Sequence, residues 1–181
     1  MNQKAGSENK KLNNLVIASM WSTEAQVWMD TAVRLDYESN LQVENRGFDL
    51  NKQNVAHVCT GLAFELAYKS LIIADFKPIK KTHYVKKLHG MLKTETKKIV
   101  EGYITHAGWE DSTSLLNYLD ETMTHPARKY WMDDPCKEKR TSAKFVRKGK
   151  ETIPELAPIL HKLVNLGAEN LEKSRNLKCQ R

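Results

Sequence analysis

Residues Asn54–Leu92, NVAHVCTGLAFELAYKSLIIADFKPIKKTHYVKKLHGML, decide how the rest of the chain is read. Val55, Val58, Cys59, Leu62, Leu66 and Ile73, with Ala63, Ala67 and Leu71 beside them, recur at helical spacing. They predict a broad apolar stripe on a helix of roughly 20 residues. Pro78, together with the lysines around it, predicts the end of that helix. Gly61 costs about 1 kcal/mol against alanine inside a helix, so close approach by a second helix is the expected reason for it. Glu65 and Lys69 stand four apart in the favoured order, and a surface ion pair is the first expectation for them. Thr82 has N-cap chemistry. Tyr84, Val85, Leu88 and Leu92 then supply the apolar face of a second helix.

Working outward, residues 1–10 are polar and predict a frayed start. Leu15, Val16, Met20, Val27, Trp28, Ala32 and Leu35 predict helix over residues 12–36. A break is expected near Ser22 and Thr23, where Thr23 and Gln26 match a capping box. The β-branched run Leu15–Ala18 admits a strand as well as a helix. Residues 40–51 read as a loop, with Asp49 or Asn51 available to cap the long helix. Beyond Leu92, a helix is expected from Thr94, with Ile99, Val100, Tyr103 and Ile104 inward and His106–Gly108 ending it. Ser112 or Thr113 opens another, carrying Leu115, Leu116, Leu119 and Met123 and limited by Pro126. Residues 133–135 form a turn and 136–150 a charged connector that is either ordered or not. Pro154 opens the last helix, whose regular part starts there or at Pro158 and presents Leu156, Ile159, Leu160, Leu163, Val164, Leu166 and Leu171. The pattern predicts an all-α antiparallel bundle with no internal repeat. One domain is expected over 11–175, between a flexible start at 1–10 and a tail at 176–181.

With 181 residues, 40% of them hydrophobic, the chain is long enough to bury one substantial core. Cys59, Cys136 and Cys179 are an odd set without metal-like spacing, which argues for a reducing compartment. No apolar run is long enough to span a membrane, and the first residues lack the core of a signal peptide, so a cytoplasmic location is expected. The net charge of +7 is unevenly distributed. Lys77, Lys80, Lys81, Lys86, Lys87, Lys93, Lys97 and Lys98 face only Glu95 within their stretch. Lys137, Lys139, Arg140, Lys144, Arg147, Lys148 and Lys150 form a second block. Such clusters either bind phosphate backbones or solvate helix faces, and no aromatic residues alternate regularly with them to make a stacking platform. His57 and Cys59 are two apart and His83 and His89 six apart, which is not metal-ligand spacing on a helix, so no metal and no cofactor is expected.

The elements E-L-x-x-K (Glu65, Leu66, Lys69) and T-H-x-φ-x-K-L (Thr82, His83, Val85, Lys87, Leu88) resemble the first long helix of the HEPN domain family and the start of its second. The stretch LLNYLDETMTHPARKYWMDD is similar to that family's later helix and its Arg-Tyr element, here Arg128 and Tyr130. The resemblance spans Ala56 to Asp134. It implies a helical bundle, a homodimer, and an RNA or antitoxin partner in a stress, toxin–antitoxin or phage-defence setting. Ribonucleases of the family pair an arginine with a histidine four to six residues later. At those spacings from Arg128 this chain has Met132, Asp133 and Asp134. The resemblance therefore implies a non-catalytic or degenerate member that engages RNA or a nucleotide-bearing partner. The residues expected to meet phosphate are Lys69, Lys86, Lys87, Lys97, Lys98 and Tyr130. Two alternatives stand beside it: a metal-independent ribonuclease using Arg128 with His125, and a protein-interaction module without nucleic acid. His125 and His83 are each readable as structural or as site residues.

Overall fold

The computed structural model describes residues 2–43, 50–79, 81–122 and 153–179. Among these are six helices and no strand: α1 Asn2–Val43, α2 Leu50–Ala74, α3 Val85–His89, α4 Thr94–His106, α5 Ser112–Thr122 and α6 Ile153–Cys179. The all-α expectation is met. Helix α2 is the hub, packing against α1 and α6 on one side and against α3 and α5 on the other.

Being flanked on both sides changes which residues of α2 are buried. Ala56, Ala63, Phe64, Tyr68, Leu71 and Ile72 are fully enclosed, whereas Val55 is exposed and Val58, Leu62 and Leu66 are only half-buried. Of the expected stripe, Cys59, Ala63, Ala67, Leu71 and Ile73 are buried, while Val55, Val58, Leu62 and Leu66 lie towards its edge and Phe64, Tyr68 and Ile72 widen the buried surface beyond it. A helix with neighbours on two sides has no single inner face, and periodicity cannot choose between two.

Helix α1 runs unbroken through the break expected at Ser22 and Thr23. Leu15–Ala18 is helical, which removes the strand alternative. Thr23 caps nothing; its hydroxyl donates back to the Ser19 carbonyl at 3.1 Å. Ser22 is buried, and the reason lies 48 residues away. Ser70 Oγ donates to the Ala18 carbonyl at 2.8 Å, so Ser22 supplies the proton of the 2.8 Å Ser22–Ser70 bond. Gly167 of α6 closes the same junction, where an added Cβ would stand 3.4 Å from both hydroxyls. Alanine fits there; a larger side chain displaces the serines. The pairs Glu38–Lys52 and Gln26–His161 set α2 and α6 antiparallel to α1.

Helix α2 ends before Pro78, through backbone geometry. Phe76 adopts a left-handed φ of 57°, its N–H bonds the Ile73 carbonyl, and Lys77 N–H reaches the Ile72 carbonyl. This is a Schellman turn with phenylalanine where glycine is usual. Thr82 is not the cap of the next helix either. Its hydroxyl accepts the Tyr84 N–H at 3.2 Å, and α3 starts at Val85, with Tyr84 rather than Thr82 at the N-cap position. Asp120 of α5 takes over the capping task across 35 residues, accepting Val85 N–H at 2.6 Å and Lys86 N–H at 3.2 Å. Helix α3 stops at His89, short of Leu92.

Helix α4 spans the range expected, but Ile99 faces solvent while Val100 and Ile104 are buried. Asp111, rather than Ser112 or Thr113, accepts Ser114 N–H at the start of α5 at 2.7 Å. Helix α6 begins at Ile153 and carries Pro158 inside it. Pro158 is exposed, so the carbonyl deprived of its partner can bond water. The leucines and isoleucine predicted for its inner face are buried, and Val164 is half-buried.

Candidate functional site

Two residues just past the end of α2 fasten the next segment to the bundle. Lys77 Nζ donates to the Met91 and Leu92 carbonyls at 2.9 and 3.0 Å. Asp75 accepts Lys93 N–H and the Thr96 hydroxyl, each at 3.1 Å. With Asp120 holding the start of α3, the segment 81–91 is pinned at both ends. Lys77, counted above in the basic block, is thereby committed to structure.

Beneath this segment lies Glu65, only 5% exposed. Its surface pairing with Lys69 is not what forms. Lys69 donates to Glu65 Oε1 from a position itself largely covered, with its ammonium 6.0 Å from the Trp21 ring centroid. His83 joins from the other side, its Nδ1 3.1 Å from both carboxylate oxygens. An ionised carboxylate only accepts, so the bond requires the proton on Nδ1. Nε2 is then left without a described hydrogen bond on a side chain that is 60% exposed. A buried anion thus fixes the orientation of an imidazole at the surface.

That imidazole lines an open groove of about 630 Å³, together with Lys81, Thr82, Tyr84, Lys87, Gly90 and Met91. Lys87 Nζ lies 4.8 Å from the Tyr84 ring centroid. Among the described residues neither Lys81 nor Lys87 forms a salt bridge, although the Lys87 charge acts on Asp120. Two ammonium groups, a hydroxyl, an aromatic ring and an oriented imidazole make a surface that attracts anions and can accept or give a proton.

The other lysines expected to meet phosphate are placed differently. Lys69 is withdrawn into the Glu65 pair. Lys86 is exposed but donates to Asn117 Oδ1 at 2.8 Å, and Lys97 lies 3.9 Å from Glu101. Lys98 is exposed. Arg128, His125 and Tyr130 lie outside the described residues, as does the connector 136–150. Glu65, Lys69 and His83 each stand out in the sequence, but nothing in their spacing tells that they converge. Lys81 and Tyr84 enter the site only because the chain turns at Phe76, and Asp120 carries no local signal of its capping role.

A second polar cluster lies on the α3 side of α2. The Tyr68 ring meets His89 edge-on, with centroids 5.7 Å apart. His89 Nε2 is 3.4 Å from Glu101, while His89 Nδ1 and the Tyr68 hydroxyl have no hydrogen-bond partner among the described residues. Burial pushes the Tyr68 phenol far above its ordinary range, with the charges of Glu101 and Asp120 adding to the effect. Burial holds the His89 imidazole below its ordinary value, against the opposing pull of its bond to Glu101. Asp120 is pushed up by burial, and its bonds to the Val85 and Lys86 amides oppose the shift.

No group of three or more potential metal ligands occurs among the described residues. No described helix is long and apolar enough to cross a membrane. The chain matches no family model, no curated protein and no solved structure.

Proposed function

We propose that this chain is a HEPN-like, cytoplasmic RNA-associated module that acts as a homodimer and engages the phosphate backbone of RNA, or of a nucleotide-bearing partner, through the groove at Lys81–Lys87. One observation carries the reading: the buried Glu65 aims His83 into a groove that also holds the ammonium groups of Lys81 and Lys87. An imidazole oriented in this way costs little further ordering when a ligand binds. The family resemblance supplies the setting, a stress, toxin–antitoxin or phage-defence system. It also supplies the expectation that any catalytic arginine–histidine pair is degenerate.

The test is binding of a labelled single-stranded RNA across a salt series. Affinity is expected to fall steeply with salt, and Lys81→Glu with Lys87→Glu should weaken binding at every concentration. The slope of log affinity against log salt should drop by roughly 0.7 for each phosphate contact removed. Binding that ignores salt, or that the double substitution leaves unchanged, overturns the reading.

A further inference from the structure

Helix α1 has two apolar faces. Leu15, Ala18, Ser22, Ala25, Met29, Ala32, Asp36 and Ser39 are buried at alternating intervals of three and four. At 100° per residue, Val16, Ile17, Met20, Val27 and Trp28 project from the opposite side, and each is 38–58% exposed. They occupy 13 consecutive positions, about 20 Å of helix. Met20, Thr23, Glu24, Val27 and Trp28 line a groove of about 610 Å³ along this side. Single exposed apolar residues are ordinary, but two clusters of large ones on one face, Val16–Ile17–Met20 and Val27–Trp28, make a surface suited to an apolar partner.

The face itself argues for its partner. No lysine or arginine occurs between Lys11 and Arg34, and Glu24 sits in the middle, which suits neither a nucleic acid nor an anionic membrane. Its spacing is symmetric about Ser22, with Val16 and Ile17 as far before that residue as Trp28 and Val27 are after it. A two-fold axis passing beside the helix at that level sets Val16 against Val27 and Ile17 against Trp28 of a second copy, on the two edges of the seam, as an isologous contact requires. Charge agrees with the antiparallel sense. Residues 2–14 carry Lys4, Lys10 and Lys11 against Glu8, and residues 29–39 carry Asp30 and Glu38 against Arg34 outside the core, Asp36 being buried. Antiparallel pairing lays the net-positive end beside the net-negative one; parallel pairing lays like beside like.

We infer that the outer face of α1 is the dimer interface, the helix lying antiparallel against the same helix of a second copy about the level of Ser22. The inference rests on the homodimer part of the proposed function and is independent of its RNA part. Sedimentation velocity on the full chain, across a concentration series, supplies the test. The native protein should have the mass of two chains, and Met20→Glu with Val27→Glu the mass of one, with helical content retained. Thr23→Cys near the axis should cross-link through a short bis-maleimide to give more dimer than the native chain gives. Arg34→Cys should not, because antiparallel pairing separates it from its copy by roughly 36 Å along the helix. If the double variant fails to fold, the cross-linking decides alone. A native protein that stays a single chain overturns both the dimer and this interface. A dimer that survives the double variant, or that cross-links equally through both cysteines, overturns the interface or its antiparallel sense and leaves the homodimer standing.

Discussion

His83 and His89 are six residues apart, and each faces a carboxylate, yet their environments are inverted. At His83 the carboxylate is buried and the imidazole reaches into solvent. At His89 the imidazole is 5% exposed and its carboxylate, Glu101, is 38% exposed. The first arrangement holds a ring by one nitrogen and offers the other to a ligand. The second leaves a ring nitrogen and a phenol buried without a hydrogen-bond partner among the described residues, a cost that packing must offset. The same residue type, on either side of α3's start, is thus a candidate site residue in one case and a source of pH sensitivity in the other.

The strongest way to break this contrast is to remove the buried anchor. Glu65→Ala leaves the Lys69 ammonium without its counter-charge and should cost about 3 kcal/mol in urea denaturation. Glu65→Met with Lys69→Met should recover much of that loss while RNA binding stays weakened. A Glu65→Ala cost below about 1 kcal/mol would mean that the pair is effectively solvated.

Acid should act on the other histidine. Because burial lowers the folded-state value of His89, its contribution to stability is intact above the free value of 6.5 and is lost as pH falls through the lowered folded value. Asp36 and Asp120, both pushed up by burial from 3.8, act in the opposite sense above that value, so the native curve alone mixes the effects. His89→Phe keeps an aromatic ring against Tyr68 and removes the titration. The variant should lose less stability than the native chain between pH 7 and pH 5, as followed by thermal melts in that interval. Parallel curves would show that His89 does not carry the effect.

Smaller again is Asp120→Ala. It strips two amide bonds from the start of α3 and should cost about 1 kcal/mol, with weaker RNA binding because Tyr84 and Lys87 lose their fixed positions. His83→Ala should be the mildest for the fold, within about 0.5 kcal/mol of the native chain, since the ring is exposed and Glu65 keeps Lys69. Its effect belongs in the binding assay. If His83→Ala binds RNA as tightly as the native chain, the oriented imidazole is not part of the groove's function.

The sequence by itself determined the helical class, the range of α4, the start of α5 and the apolar positions of α6, and it marked Glu65, Lys69 and His83 one by one without saying what each faces. Those features are local, since helical period, terminal residues and i,i+4 spacing are all written within a few turns of chain. The tertiary structure alone decided that α2 is enclosed on two sides, that α1 continues through Ser22 because Ser70 satisfies that hydroxyl, and that Asp120 caps a helix 35 residues away. It also decided which of two similar histidines faces solvent. Each of these depends on a partner distant in sequence, and a buried polar group takes its role from the donor or acceptor that folding brings to it.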